Sequence, residues 1–137
     1  MIAIELENAA LRATLPSELG KLTTLEVLVL RKNNIYGTIP LQIAELPKLE
    51  ILDLSLNEIN GTLPKFKSKN VKDLSLSFNQ ISGHIEPGWP AGHEVMVELD
   101  LSWNKLAGTI PSTIGLMKSL RKLSLSGNNL YGTDCDN

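Results

Sequence analysis

The sequence predicts an α/β repeat fold: short parallel strands stacked into a ladder, each followed by a tight bend and a short helical or 3₁₀ return. Three observations predict it. Similar segments begin at residues 1, 25, 49, 71, 96 and 120, the last one truncated. Within each, two aliphatic residues alternate with polar ones, the period of a strand with one buried face. And 25 of the 137 residues are leucine, whereas aromatics make up 4% of a chain that is 42% hydrophobic. One small module stacked about six times explains that bias, because every layer of the core reuses the same side chains. The length fits a single domain over 1–137, long enough to bury a core without disulfides or metal.

Each column of the repeat has a physical task. The pairs Leu28/Leu30, Leu52/Leu54, Leu74/Leu76, Leu99/Leu101 and Leu123/Leu125 point inward from the strands, which stack about 4.8 Å apart. Asn33, Asn57, Asn79, Asn104 and Asn128 follow the strands, where an amide can satisfy backbone groups of adjacent turns. Gly37, Gly61, Gly83, Gly108 and Gly132 suit a tight bend or a positive φ. Pro16, Pro40, Pro64 and Pro111 then fix φ at the start of the return path. Ile114, Met117 and Leu120 have helical spacing, so a short helix or 3₁₀ turn is expected over 112–120.

Composition removes several classes of function. Thirteen basic against fifteen acidic residues leave a formal charge of −2 and no global field for nucleic acid. No apolar run reaches the roughly 20 residues of a membrane span, so no membrane insertion is expected. No phosphate loop, HExxH, G-x-S-x-G or Cys/His pairing is present, and an open sheet offers carboxylates no closed pocket, so the chain reads as not an enzyme and needs no cofactor. His84 and His93 with Glu86 and Glu94 lack the spacing of metal ligands, and no metal site is expected.

The segments read LEVLVLRKNNIYGTIP from Leu25, LEILDLSLNEINGTLP from Leu49, VKDLSLSFNQISGHIEP from Val71 and MVELDLSWNKLAGTIP from Met96. This wording resembles the leucine-rich repeat family, and its plant-specific class in particular, whose pattern is LxxLxLxxNxLxGxIP. Similar repeats occur in receptor-type and cell-surface members and in some protozoan surface antigens. The resemblance covers the whole chain. It implies a curved right-handed solenoid with a concave parallel sheet and short helical or 3₁₀ turns on the convex side. It further implies an interaction module that binds a protein or peptide on the concave face, at the cell surface or outside the cell. Two departures stand out: Ala9 and Ala13 replace the Asn and Gly of the first segment, and EPGWPAGHE (86–94) replaces a regular return. Secreted members of this class close their ends with cysteine pairs, whereas this chain has the single Cys135 in a terminal GTDCDN. A fragment of a larger receptor and a small intracellular protein with a reduced thiol both fit that count.

If the fourth and sixth residues of each segment face inward, the third, fifth, seventh and eighth face the concave side. Val29 and Arg31 then sit beside the carboxylates Asp53, Asp73, Glu98 and Asp100, a patch suited to a basic partner. Val27, Ser55, Ser77 and Ser102 share those columns. The eighth column aligns Leu56, Phe78 and Trp103 on successive rungs, an exposed apolar strip of the kind that anchors a partner. Trp89 is a possible loop anchor or a plug for the irregular segment. Two other readings stay open. Stacking of a carbohydrate or wall polymer on Phe78 and Trp103 is one. The ladder Thr14, Thr38, Thr62, Thr109 and Thr133, broken by His84, matching an ice lattice is the other. Lys65, Lys67, Lys69 and Lys72 read as a solvated convex face, and Asn60-Gly61-Thr62 is a glycosylation sequon. Ile2, Ile4 and Leu6 leave an apolar rung edge through which two copies can associate.

Overall fold

The computed structural model describes residues 1–132; the expectations placed on Thr133 and Cys135 lie outside them. Six three-residue strands carry the alternating aliphatics: β1 (Ala3–Glu5), β2 (Val27–Val29), β4 (Ile51–Asp53), β6 (Asp73–Ser75), β8 (Glu98–Asp100) and β10 (Lys122–Ser124). They pair in parallel in that order, with Ile4, Leu28, Leu52, Leu74, Leu99 and Leu123 in register at their centres. The remaining strands form a second, shorter flank after the asparagines. There β3 (Tyr36–Thr38) pairs with β5 (Glu58–Asn60), and β7 (Ser82–His84) with β9 (Lys105–Gly108) and β11 (Asn129–Leu130). The return paths are short: one four-residue helix, α1 (Leu41–Ala44), and 3₁₀ turns at Ser17–Lys21, Pro90–Gly92 and Ser112–Leu116. The fold is a right-handed solenoid, with the six-stranded sheet forming its concave wall.

Between the walls runs one continuous aliphatic column, in which Leu28, Leu52, Leu54, Leu74 and Leu76 are fully buried. Stacking identical modules puts like on like, so each layer fills the same volume. At the last inward pair the burial fades: Leu123 is exposed and Leu125 half-buried, since β10 is the sheet's outer strand among the described residues.

The asparagines hold one rung to the next. The Oδ1 of Asn79 accepts the Ile59 N–H at 2.9 Å, while its Nδ2 donates to the carbonyls of Leu54, Leu76 and Ser77 at 2.9, 3.1 and 3.3 Å. Asn57 and Asn104 repeat the pattern on their own rungs. Tight turns cannot join a ladder, so these amides supply the bonds that the sheet does not. Gly61 shows why the following column is glycine: its φ is +86°, and a Cβ there would stand 2.8 Å from the Thr38 methyl of the preceding rung. Gly132, expected in the same conformation, does not adopt a positive φ.

Candidate functional site

The concave face follows from the strand alternation, and most of the residues expected to line it do so. Arg31, Asp53, Asp73, Glu98 and Asp100 share a shallow hollow of about 300 Å³ that also touches Lys122. Val29 lies beside it, half-buried between Glu5 and Asp53 in register. Arg31 reaches across to Glu7 at 3.4 Å, and Lys122 lies 3.8 Å from Glu98.

The carboxylates are not equivalent. Asp53 accepts from the Ser55 N–H at 2.9 Å and its hydroxyl at 2.6 Å, and Asp100 does the same with Ser102 at 3.0 and 2.6 Å. Both serines, expected on the open face, are buried. Ser77 is buried as well, its hydroxyl 3.4 Å from that of Ser75, and Val27 is covered between Ala3 and Ile51 on the neighbouring strands. The same tripeptide, Asp73-Leu74-Ser75, falls two places earlier in its rung and gains no such bonds among the described residues. Asp73 stands instead directly opposite Glu98 across the ladder. Burial first, and the Glu98 charge second, push its carboxyl above the ordinary aspartate value.

The eighth column is the more unusual feature. Lys32, Leu56, Phe78 and Trp103 all adopt left-handed backbone, with φ between 54° and 58°, and Gly127 and Asn8 occupy the equivalent places. Left-handed backbone costs a bulky residue about 1–2 kcal/mol. It is held by bonds to the next rung: the N–H groups of Leu56, Phe78 and Trp103 donate to Ser77, Ser102 and Ser126 carbonyls at 2.8–2.9 Å. The turn also throws the side chains outward, leaving Leu56, Phe78 and Trp103 at 39, 48 and 56% exposure. Sequence reading placed these residues on the face but missed their conformation. Asn8 and Gly127 in the same column were the available signal, since Asn and Gly tolerate this region best.

The rings of Phe78 and Trp103 stack with centroids 5.7 Å apart and planes 16° from parallel. Beyond Trp103, the Gly127 backbone approaches so closely that a Cβ there would stand 2.6–2.9 Å from three ring atoms. Both faces of Trp103 are therefore covered, one by Phe78 and one by Gly127, while Phe78 also borders a hollow lined by Lys32 and Leu56. A sugar stacks on a face, so this arrangement disfavours carbohydrate stacking on Trp103. The threonine ladder fares similarly: Thr38 is in register with Asn60, not with another threonine, and its methyl group covers Gly61.

Trp89 is not a loop anchor. It is 3% exposed, part of the core, and its indole N–H donates to the Pro64 carbonyl of the preceding rung at 2.9 Å. His93 stacks on it at 4.1 Å and meets the edge of Phe66 at 6.1 Å. The irregular segment thus supplies an aromatic plug beside a return reduced to the Pro90–Gly92 3₁₀ turn. His93 Nδ1 lies 2.7 Å from the Trp89 carbonyl and acts as the donor, and its buried Nε2 has no partner among the described residues. Burial holds the imidazole below its usual value, the nearby Lys65 charge acting in the same direction and the Trp89 bond against it. The unfolded chain therefore takes up the proton first, and stability falls as pH drops below about 6.5 toward the folded-state value. In urea titrations between pH 7.5 and 5, His93→Phe should flatten that slope; an unchanged slope would mean that other groups set it.

His84 is far from this cluster in role, exposed on β7 with Nδ1 3.1 Å from the Ala107 carbonyl. Lys67 pairs with Glu45, and Lys72 with Glu50 at 2.8 Å, so these lysines tie adjacent rungs on the outer surface. Asn60, first residue of the sequon, is exposed at the end of β5. Ile4, Leu6, Leu11 and Leu19 border an apolar hollow of about 330 Å³ beside β1. Among the described residues no helix is long and apolar enough to cross a membrane, and no group of His, Cys, Asp and Glu is arranged to hold a metal.

Two family models described as leucine rich repeat match residues 66–130 and 45–62, together more than half of the chain. The crystal structure of the LRR ectodomain of the receptor kinase SOBIR1 from Arabidopsis thaliana is 30% identical. The match covers 94% of this chain and 72% of that one, with a TM-score of 0.86. The chain belongs to the leucine-rich repeat family. A second solved structure is the Arabidopsis receptor kinase HAESA in complex with the peptide hormone IDA and the co-receptor SERK1. It is 30% identical, with a TM-score of 0.91, over 95% of this chain and 22% of that one. Among curated proteins, the S-cell enriched leucine-rich repeat-containing protein slrA of Dictyostelium discoideum is 37% identical over 65 residues, 47% of this chain. The chain spans 5% of slrA, so it corresponds to a small part of that relative.

As a leucine-rich repeat protein, the chain adds one bond at its irregular first unit. Where the first unit has Ala9 in the Asn column, Asn33 Oδ1 accepts both the Ala9 and Leu11 N–H groups at 3.0 Å, and its Nδ2 donates to the Leu6 carbonyl at 2.8 Å. The Leu11 and Leu6 bonds repeat the pattern of the other ladder asparagines, and the Ala9 bond is the additional one.

Proposed function

We propose that this chain is the ligand-recognition part of a leucine-rich repeat receptor or cell-surface protein, and that its concave face binds a protein or peptide. The observation that carries this reading is the Phe78–Trp103 stack, two half-exposed rings on left-handed backbone and a rigid ladder. Large aromatics fixed in place lose little side-chain entropy on binding and commonly anchor interfaces. The likeness to HAESA, described in complex with a peptide hormone and a co-receptor, supports it. The reading assigns no catalytic step to the chain and places it outside the cell or at its surface.

The test is a reconstituted interaction. A partner captured by the whole chain is identified, purified and titrated in a calorimeter against the chain and the Phe78→Ala/Trp103→Ala variant. The double variant should bind at least about 30-fold more weakly, the loss expected of a hot spot of about 2 kcal/mol. Equal affinity would remove this strip from the interface. A glycan-array signal abolished by Trp103→Ala would replace the reading with the carbohydrate one. The apolar hollow beside β1 supports a secondary reading, self-association through that edge; a monomer by light scattering at millimolar concentration would dismiss it.

A further inference from the structure

The two features of the concave face lie on the same two rungs. Asp73 and Phe78 belong to one, Glu98 and Trp103 to the next, with the carboxylates at the start of each strand and the rings just past its end. Only five positions separate the members of each couple, and Asp100 and the buried Ser102 form the floor between them. At about 3.3 Å per extended residue, five positions span at most about 16 Å along the strand direction.

Their needs are complementary. Asp53 and Asp100 are bonded by their own serines, but Asp73 faces Glu98 across the ladder with no donor of its own among the described residues. Two carboxylates directly opposite one another are mutually unfavourable. Lys122 relieves Glu98 only from 3.8 Å, in a pair more than half exposed and therefore weak. The hollow holding this couple carries four carboxylates against Arg31 and Lys122. At the other end the two half-exposed rings offer apolar contact and no hydrogen-bonding partner except the indole N–H.

We propose that the partner presents an extended segment lying parallel to the strands across these two rungs, with a Lys or Arg side chain seated between Asp73 and Glu98 and an apolar side chain four or five residues away against Phe78 and Trp103. The inference rests on the reading of the concave face as a binding surface and adds its chemistry and direction. The cation gives the segment its register, because it has one favourable seat. The apolar residue contributes the larger share of affinity. A segment lying along the solenoid axis would reach only one of the two features on any one rung.

A synthetic array of proline-free dodecapeptides tests this, with one Arg and one Phe or Leu at every separation from one to eight residues and with Glu replacing Arg in matched controls. Binding of the whole chain is read by fluorescence, and the strongest sequences are titrated in solution. Binding should peak at separations of four or five, fall at least tenfold when Arg becomes Glu, and weaken with added salt. In Asp73→Asn/Glu98→Gln the Arg-over-Glu preference should collapse toward unity while the apolar contribution persists. In Phe78→Ala/Trp103→Ala every peptide should weaken. Circular dichroism and thermal melts confirm that both variants keep the fold. Peptides that bind regardless of charge or spacing would overturn the inference and leave the binding face standing. A charge preference that survives Asp73→Asn/Glu98→Gln would place the cation elsewhere and overturn it too. No binding by any peptide would overturn the inference, whereas the reading beneath it falls only if the captured partner binds Phe78→Ala/Trp103→Ala with unchanged affinity.

Discussion

Replacing Asn79 with alanine should lower the unfolding free energy by about 3–4 kcal/mol. The Ile59 N–H loses its acceptor inside the protein, and an orphaned buried donor costs about 1–3 kcal/mol. The carbonyls of Leu54 and Leu76 each lose one of two amide donors, since Asn57 and Asn104 still reach them, so those losses are smaller. The expected result is a lower midpoint in urea together with faster amide exchange in the rungs on either side of residue 79. In a solenoid each module leans mainly on its neighbours, so the damage should stay local until the whole stack melts. Asn79→Asp should be no rescue: a carboxylate keeps the acceptor but loses both donors and brings a charge into a buried place. If Asn79→Ala unfolds at the same denaturant concentration as the parent, the amides are not what joins the turns.

Trp89→Ala is the second large effect. The indole is buried among core residues, bonded to the Pro64 carbonyl and stacked on His93, so its removal opens a large cavity, deprives a carbonyl of its donor and exposes the imidazole to water. A buried Trp→Ala change costs about 3–5 kcal/mol. Trp89→Phe should recover most of that, lacking only the hydrogen bond and part of the volume. Affinity for a partner bound on the concave face should be unchanged at temperatures where the variant stays folded. Undiminished stability with lost binding would restore Trp89 to the role of an exposed anchor. Trp89 and Trp103 thus differ in kind: one variant should harm folding, the other recognition.

The sequence made the ladder readable because the solenoid repeats its physics. A strand that must bury alternate side chains against identical neighbours shows the same aliphatic pair on each rung, and the Asn and Gly columns record bonds and bends that have few substitutes. The concave face was readable to the same degree, since alternation alone puts Asp53, Asp73, Glu98 and Asp100 on it. What alternation cannot show is how side chains on one strand satisfy each other. Ser55, Ser77 and Ser102 are buried alike in one column, and where an aspartate stands two residues earlier the hydroxyl reaches back to it. Asp73, in an identical tripeptide, stayed unbonded because its place in the rung differs by two. Trp89 was undecidable from sequence for another reason: whether a loop tryptophan plugs or protrudes depends on the vacancy left by a neighbouring rung, here the one lined by Phe66 and His93. The left-handed column hid behind bulky residues, with only Asn8 and Gly127 betraying it.

The central claim, that the strip of Phe78 and Trp103 on the concave side is where a partner binds, has a direct measurement in hydroxyl-radical footprinting. Oxidation of individual aromatic residues is read by mass spectrometry in the free chain and in its complex with the purified partner. Tyr36 and Tyr131 are internal controls, both exposed outside the concave sheet, at β3 and just beyond β11. Binding on the concave face predicts that oxidation of Phe78 and Trp103 falls several-fold in the complex while Tyr36 and Tyr131 react as before. Unaltered oxidation of Phe78 and Trp103, with Tyr36 or Tyr131 protected, would contradict it and move the interface to the other flank of the solenoid.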